Sequence, residues 1–156
     1  MMRVQTVHRM TYLYSSTTTN FDDFSGLDVS RTVAALQQAA ASGGMPPTGN
    51  MLFVFHDLTE DPDASFELEI GFPVPDTALG KKPVTDDFKV RKLAPFRCAS
   101  MVYRGPLQHL RRAYDKLIPE MIAAGYVPSE ESRENYTVWE GAESSNNVVE
   151  IQVGIR

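Results

Sequence analysis

Cysteine is almost absent from this chain, because Cys98 is the single cysteine among 156 residues. One cysteine cannot form an internal disulfide, which excludes the disulfide-stapled frameworks of small secreted proteins. Cys98 lies in an apolar run, residues 96–102, where we expect a buried, inert thiol instead of a nucleophile. The sequence also lacks a His-x-x-His, His-Glu-x-x-His or Cys/His cluster, so we expect no metal site.

Long apolar runs are missing as well. No run approaches the roughly 18 residues that a membrane-spanning helix needs. The first ten residues contain no apolar stretch of signal-peptide length. We therefore predict a cytoplasmic protein that does not contact a membrane.

The chain has no excess of positive charge. It carries 15 Lys and Arg residues against 20 Asp and Glu residues, a net charge of −5. A nucleic-acid binder needs a basic surface that neutralises phosphates. No helix-turn-helix extension is recognisable at either end, so we expect no direct contact with nucleic acid.

Familiar catalytic and cofactor motifs are also absent. The sequence has no Gly-x-Ser-x-Gly, no Walker loop and no Gly-x-Gly-x-x-Gly. The three histidines, His8, His56 and His109, are widely separated. No attachment motif supports His56 or His109 as an axial ligand of a haem, and we expect no cofactor.

What remains is the composition of an ordinary globular protein. Hydrophobic residues make up 42% of the chain and charged residues 22%, close to the averages for soluble domains. A chain of this length fits one compact domain and is too short for two. We therefore predict a single domain over residues 1–156.

The first half of the chain predicts four strands and one helix. Apolar residues recur at helical spacing within the helix, and Gly43-Gly44 should end it. Pro73 and Pro75 should end the fourth strand. In order, the predicted elements are strands 2–8 and 10–18, helix 29–40, and strands 51–56 and 66–72.

The second half predicts the same order. Gly105-Pro106 opens a helix that Gly125 should cap, with Pro119 expected to kink or break it locally. The predicted elements are strands 88–93 and 96–103, helix 107–122, and strands 135–139 and 148–155.

The agreement between the halves indicates an internal duplication. Gly44 and Gly125 are 81 residues apart (125 − 44), and Phe53 and Tyr136 are 83 apart (136 − 53); a near-constant offset is typical of repeats. We place the repeats at about 1–76 and 85–156, with a Pro- and Gly-rich linker at 77–84. The predicted fold is α+β, with duplicated strand-helix-strand-strand modules related by pseudo-twofold symmetry around a central ligand cavity.

The apolar stripes of the two helices predict how the halves pack. Each stripe is too apolar to face water, so both helices should lie against sheet on one surface. We expect the cavity on the opposite surface, with strands 51–55 and 134–138 as its facing walls.

Several short motifs carry a resemblance to a known family. Tyr103-Arg104-Gly105-Pro106 opens a helix that holds Tyr114, and Glu134-Asn135-Tyr136 follows about thirty residues later. Residues 149–153 and 66–75 match the closing strand and the corresponding strand of the first half. In order and spacing the chain resembles the GyrI-like, or bacterial transcription-activator effector-binding, domain.

That resemblance implies a cavity that binds lipophilic, often cationic, molecules, with a strand glutamate as counter-charge and aromatic residues around it. It also associates the chain with multidrug-responsive transcription regulators. Two departures weaken individual contacts: Leu107 replaces the usual aromatic residue after Gly-Pro, and Tyr103 with Arg104 replaces the usual histidine before it.

Glu134 is the predicted pocket carboxylate. It shares a strand face with Tyr136, because alternate residues of a strand point to the same side. Burial would raise the pKa of Glu134, and a bound cation would restore its charged form. The alternative is a solvent-facing glutamate beside Arg133, as most glutamates are exposed.

Further aromatic and methionine side chains complete the predicted ligand site. Tyr136 would add cation–π attraction. The 83-residue offset brings the first-half strand 51–56 opposite Glu134. Strand 96–103 of the second half is a weaker candidate for lining the ligand site. Besides Glu134 and Tyr136, the predicted ligand-binding residues are Met51, Phe53, Phe55, Tyr103 and Met101.

Three functional hypotheses remain open from the sequence. The first is a stand-alone domain that binds lipophilic, cationic small molecules and is not an enzyme. The second is a hydrolase of strained electrophiles, with Glu134 as general base and Tyr136 or Tyr103 as proton donor. The third is a protein-interaction module that uses the acidic residues 59–63 and 130–131.

Overall fold

The computed structural model describes residues 1–20, 23, 29–59, 61, 63–81 and 87–156. Its helices and strands follow the order predicted from the sequence. They are β1 (Arg3–Val7), β2 (Met10–Thr19), α1 (Val29–Gly43), β3 (Met51–His56), β4 (Phe66–Val74), β5 (Lys89–Leu93), β6 (Phe96–Arg104), α2 (Arg111–Ala123), β7 (Pro128–Val138) and β8 (Val148–Ile155).

All of these strands belong to one antiparallel sheet. Its order is β1-β6-β8-β7-β3-β4-β2-β5. The hydrogen-bonded pair β3–β7 lies at the centre of the sheet, and each edge strand, β1 or β5, pairs with a strand of the other half, β6 or β2. The α+β class is therefore confirmed.

Alternation along the strands decides which side of the sheet is buried against the helices. In β4, Phe66, Leu68, Ile70 and Phe72 face the main core, whereas Glu67 and Glu69 point to the other side. Leu36 and Ala40 of α1 pack into this core, as do Leu117 and Met121 of α2. We call this side the helix face and the opposite side the outer face.

The predicted arrangement of the cavity walls is wrong. The two helices do share one side of the sheet, but Phe53 and Tyr136 lie in the core beneath them. Strands 51–55 and 134–138 are neighbours in the sheet and hydrogen-bond to each other instead of facing each other across a groove. The residues proposed for the site therefore lie between sheet and helices, not on the opposite surface.

Three boundaries also differ from prediction. β7 begins at Pro128, seven residues before the predicted start at Asn135 (135 − 128), so Glu134 is an interior strand residue. β4 continues past Pro73 and ends at Val74, directly before Pro75. The second helix starts with a 3-10 turn, Leu107–His109, and α2 then runs through Pro119 to Ala123.

Two glycines end the helices as expected. Gly44 (φ 65°) and Gly125 (φ 88°) adopt the left-handed conformation that closes a helix C-terminus. The predicted linker starts as a 3-10 turn, Asp76–Gly80, whose Ala78 is buried; its residues 82–84 lie outside the described part of the chain. Among the described residues, the helices are too short or too polar to cross a membrane.

Candidate functional site

Glu134 lies at the centre of the molecule, on the helix face of β7. It is 4% exposed. Phe53 of β3 is its direct partner on one side and Ile151 of β8 on the other. Its carboxylate is thus held among apolar residues, beneath the second helix.

Two tyrosines hydrogen-bond the carboxylate of Glu134. The Tyr114 hydroxyl, from α2, donates to Oε2 at 2.6 Å. The Tyr136 hydroxyl, two residues along β7, donates to Oε1 at 2.6 Å. Each carboxylate oxygen therefore has one phenol donor, and in the described part of the chain no basic side chain forms an ion pair with Glu134.

Burial dominates the electrostatics of this group. Desolvation raises the pKa of Glu134, and the hydrogen bonds from Tyr114 and Tyr136 oppose that shift without cancelling it. Desolvation together with the neighbouring Glu134 charge raises the pKa of both tyrosines well above the ordinary value. The tyrosines accordingly stay neutral and act as donors.

Aromatic rings line one side of the carboxylate. The Phe53 ring centroid is 4.7 Å from that of Tyr136 and 6.4 Å from that of Phe55. The rings of Trp139 and Tyr136 form an edge-on pair, with centroids 5.5 Å apart and an interplanar angle of 84°. Such tilted and edge-on contacts are favourable for aromatic pairs. Glu134 thus adjoins a continuous aromatic cluster.

The remaining predicted site residues lie at different distances from this centre. Met51 is directly opposite Tyr136 across the β3–β7 pair. Met101 is two strands away from Glu134, across Ile151. Tyr103 is partly buried, and its hydroxyl donates to the carbonyl of Pro106 at the entry to the second helix. Tyr103 therefore has a structural partner at some distance from the carboxylate.

Sequence reasoning missed two members of the cluster. Tyr114 lies in the predicted second helix, where helical spacing indicates only packing, although the hydroxyl of a buried tyrosine needs a partner. Trp139 follows the end of β7, after an irregularity between Tyr136 and Val138. Because the strict alternation fails there, Trp139 can approach Tyr136 instead of lying on the opposite face.

A second buried carboxylate, Glu69, lies on the outer face of β4 and is 1% exposed. Arg91 of β5 forms a two-point ion pair with it, with Nη2 2.6 Å from Oε1. His56 Nε2 lies 3.1 Å from the same Oε1. Burial alone would raise the pKa of Glu69, but the hydrogen bonds from His56 and Arg91 outweigh it and hold the pKa below its ordinary value.

Two adjoining cavities lie beneath α1, away from Glu134. The larger, of about 490 Å³, is lined by Ser15, Ser16, Arg31, Thr32, Ala35, Asp87, Phe88 and Lys89. The smaller, of about 140 Å³, is lined by Ser15, Thr17, Val29, Thr32 and Ile70. They share Ser15 and Thr32, and we refer to them together as the α1 cavity.

The sequence as a whole matches a known family. The family described as the GyrI-like small molecule binding domain matches residues 1–156. The chain belongs to this family. The GyrI-like resemblance inferred from the short motifs is therefore confirmed, and with it the assignment to a family of small-molecule-binding domains.

Solved structures agree with the GyrI-like fold. The C-terminal domain of EcmrR aligns with a TM-score of 0.76 and 18% identity over 100% of this chain and 97% of that one. SAV2435 bound to tetraphenylphosphonium aligns with a TM-score of 0.62 and 12% identity, covering 100% and 94%. A hydrolase from Listeria innocua aligns with a TM-score of 0.60 and 15% identity, covering 99% and 91%.

One similar structure is much longer than this GyrI-like chain. EcmrR in complex with DNA aligns over 100% of this chain, which spans 57% of that protein, with a TM-score of 0.78 and 17% identity. No protein with a curated function matches the sequence. At these identities the similarity between structures establishes the fold, while the chemistry must be argued from the residues.

Proposed function

We propose that the chain binds lipophilic cations and that Glu134 is the counter-charge. One observation carries the proposal: a carboxylate that is 4% exposed has two phenol donors and, among the described residues, no cationic partner. An uncompensated buried carboxylate is unfavourable, and a cation placed beside it would remove that cost.

The surroundings of Glu134 favour an organic cation over a metal ion. The described residues contain no group of three His, Cys, Asp or Glu side chains that could hold a metal. The neighbouring aromatic cluster instead offers ring faces to a delocalised or quaternary cation. Phe53, Tyr136 and Trp139 supply those rings.

Binding requires the site to open. Glu134 and Phe53 are almost fully enclosed, at 4% and 0% exposure. A ligand must therefore displace a covering side chain, and Tyr114 is the natural candidate because it is the donor that comes from the helix. A cationic ligand would then replace the hydrogen bond from Tyr114 to Glu134 with a charge–charge interaction between the ligand and Glu134.

A titration with matched ligands tests the counter-charge. Tetraphenylphosphonium, the ligand in the SAV2435 structure, is compared with neutral triphenylphosphine oxide by isothermal calorimetry. We expect the wild type to prefer the cation, and Glu134→Gln to weaken cation binding by about 30-fold or more, which corresponds to roughly 2 kcal/mol or above for a buried charge pair.

Glu130→Gln is the matched control, because Glu130 is on the same strand but exposed. It should leave both affinities unchanged. Equal affinity for the cation and the neutral oxide, or an undiminished affinity in Glu134→Gln, would remove the counter-charge role.

A hydrolytic activity is the second candidate function. A carboxylate with a raised pKa beside two phenols has the groups for general acid–base chemistry. Glu134 would take a proton from water, and Tyr136 would donate one to the leaving atom of an already reactive ligand. Mass spectrometry separates the candidates: turnover that is lost in Glu134→Gln indicates an enzyme, whereas stoichiometric capture without product indicates a binding protein.

We also propose that the chain is one domain built from two repeats. Adding 86 to the bounds of β1 gives those of β5 (3 + 86 = 89, 7 + 86 = 93), and adding 81 to the end of β4 gives the end of β8 (74 + 81 = 155). With the offset of 81, Phe53 corresponds to Glu134 (53 + 81 = 134), whereas the offset of 83 predicts Tyr136. Superposition of the repeats decides between the two registers.

A further inference from the structure

The turn between β7 and β8, residues 139–147, is closed by one buried side chain. Asn147, at its end, is 0% exposed. Its Oδ1 accepts a hydrogen bond from the backbone N–H of Glu140 at 2.8 Å, and its Nδ2 donates to the carbonyl of Gly141 at 2.7 Å. The Asn147 amide therefore links the two ends of the turn and fixes the path of the chain directly after Trp139.

The same turn is hydrogen-bonded to the entry of the second helix. The backbone N–H of Gly105 donates to the carbonyl of Asn147 at 3.0 Å, and that of Leu107 donates to the carbonyl of Ala142 at 2.9 Å. That entry leads into α2, which carries the Tyr114 donor. The turn therefore joins the strand that holds the Glu134 carboxylate to the helix that covers it.

Trp139 is the aromatic residue whose place depends on this turn. The pairing of β7 with β8 is irregular between Tyr136 and Val138, so strand geometry alone does not place the residue that follows. Trp139 is partly exposed, whereas Phe53 and Tyr136 of the same aromatic cluster are 0% and 3% exposed. The edge-on pair of Trp139 and Tyr136 therefore needs a further constraint, which the bond from the next backbone N–H to Asn147 supplies.

We propose that Asn147 is a positioning residue: it holds Trp139 as the partly exposed aromatic wall of the cation site at Glu134, and so makes that site select cations that carry aryl groups. This inference rests on the proposed function. Trp139 is one ring away from the carboxylate, because Tyr136 pairs with Trp139 and donates to Glu134.

The wall and the counter-charge would select different properties of a ligand. An aryl group can form tilted or edge-on contacts with the Trp139 ring that an alkyl group of similar size cannot form. Glu134 would attract aryl and alkyl cations alike, because a counter-charge responds to net charge. The two contributions can therefore be measured separately.

Two cations of equal charge and similar size separate the aryl contact from the counter-charge. Tetraphenylphosphonium and tetrabutylammonium are titrated into each protein by isothermal calorimetry. We expect Asn147→Ala to weaken tetraphenylphosphonium about fivefold, the size of an aromatic contact, and to leave tetrabutylammonium unchanged. Glu134→Gln should weaken both cations alike. Asn146→Ala, at the exposed neighbouring position, is the matched control and should change neither affinity.

A double-mutant cycle assigns the effect to Trp139. Trp139→Leu should itself weaken tetraphenylphosphonium selectively, and Asn147→Ala should add little in that background, because both substitutions remove the same contact. An undiminished effect of Asn147→Ala in the Trp139→Leu protein, an equal loss of both cations in Asn147→Ala, or an unchanged preference in Trp139→Leu would overturn the proposal.

Fluorescence tests the positioning without any ligand. Trp139 is the only tryptophan of the chain, so its emission reports this position alone. Asn147→Ala should shift the emission to longer wavelength and increase quenching by acrylamide, because the ring becomes more exposed. Unchanged emission in a folded Asn147→Ala protein would overturn the positioning role. If that variant does not fold, Asn147→Ser, which keeps a shorter polar group, decides the question in the same way.

The proposed function and this inference can fail separately. If Glu134→Gln weakens both cations but Asn147→Ala weakens them equally, only the role of Asn147 is overturned. If neither cation binds the wild type, the proposed function fails together with the aryl selectivity, and the Trp139 emission still decides the positioning role.

Discussion

Glu69 and Glu134 are two buried carboxylates of the same sheet with opposite surroundings. Glu69, on the outer face, is paired with Arg91 and with His56. Glu134, on the helix face, has Tyr114 and Tyr136 as its hydrogen-bond donors. The pKa of Glu69 lies below its ordinary value and that of Glu134 above it.

This difference identifies Glu69 as a structural carboxylate and Glu134 as a candidate ligand-binding group. Arg91 reaches across β2, with its guanidinium 4.7 Å from the centre of the Tyr14 ring, to neutralise Glu69 from within the chain. For Glu134 the described residues supply hydrogen bonds but not the compensating charge. The lack of a compensating positive charge among the described residues is the physical reason to expect a cationic ligand at Glu134 and none at Glu69.

Replacing Arg91, which forms the two-point ion pair with Glu69, should have the largest effect on stability. Arg91→Met leaves the buried Glu69 carboxylate with His56 as its remaining ion-pair partner among the described residues. We expect a loss of about 2–4 kcal/mol in the free energy of unfolding, less than for a fully buried pair because Arg91 is partly exposed. Urea denaturation measures it. Lys92→Met on the same strand is exposed and should cost less than about 0.5 kcal/mol; similar losses in both variants would show that the pair is not special.

Neutralising Glu134 should instead increase the free energy of unfolding at high pH. Its raised pKa means that the folded protein holds the proton more tightly than the unfolded chain, so stability is highest below the ordinary glutamate pKa and falls as pH rises through the folded-state pKa. At pH 8, without ligand, we expect Glu134→Gln to be more stable than the wild type by about 1–2 kcal/mol.

The same urea experiment, repeated at pH 4, provides the control for Glu134→Gln, because the advantage should shrink when the wild-type carboxyl is protonated. If the variant were less stable than the wild type at pH 8, Glu134 would be a satisfied structural group like Glu69.

His56 should give a smaller, pH-dependent effect. The hydrogen bond with Glu69 is the largest cause of its raised pKa, and the Glu131 carboxylate adds to it. Protonated His56 therefore stabilises the fold below the ordinary histidine pKa, and this contribution disappears as pH rises through the raised value. We expect His56→Gln to cost about 1 kcal/mol at pH 6 and less at pH 9 in urea denaturation; a cost that does not change with pH would exclude the charge effect.

Part of the difference between Glu134 and Glu69 can be predicted from the sequence. Period-two alternation places Glu134 and Tyr136 on one face, and helical spacing identifies both apolar stripes. The same rules could not find Arg91 as the partner of Glu69, because that contact depends on β5 pairing with β2 across the sheet. Likewise, the start of β7 is rich in charged residues and shows no apolar alternation, which hid the strand pairing that brings Phe53 against Glu134.

The affinity for tetraphenylphosphonium as a function of pH tests the central claim most directly. If Glu134 supplies the counter-charge, the wild-type affinity should rise as pH increases from 4.5 through the raised pKa of Glu134, by up to about tenfold per pH unit, and then level off. Glu134→Gln should bind weakly at every pH. A wild-type affinity that is independent of pH from 4.5 upward, or an equal rise in Glu134→Gln, would contradict the account.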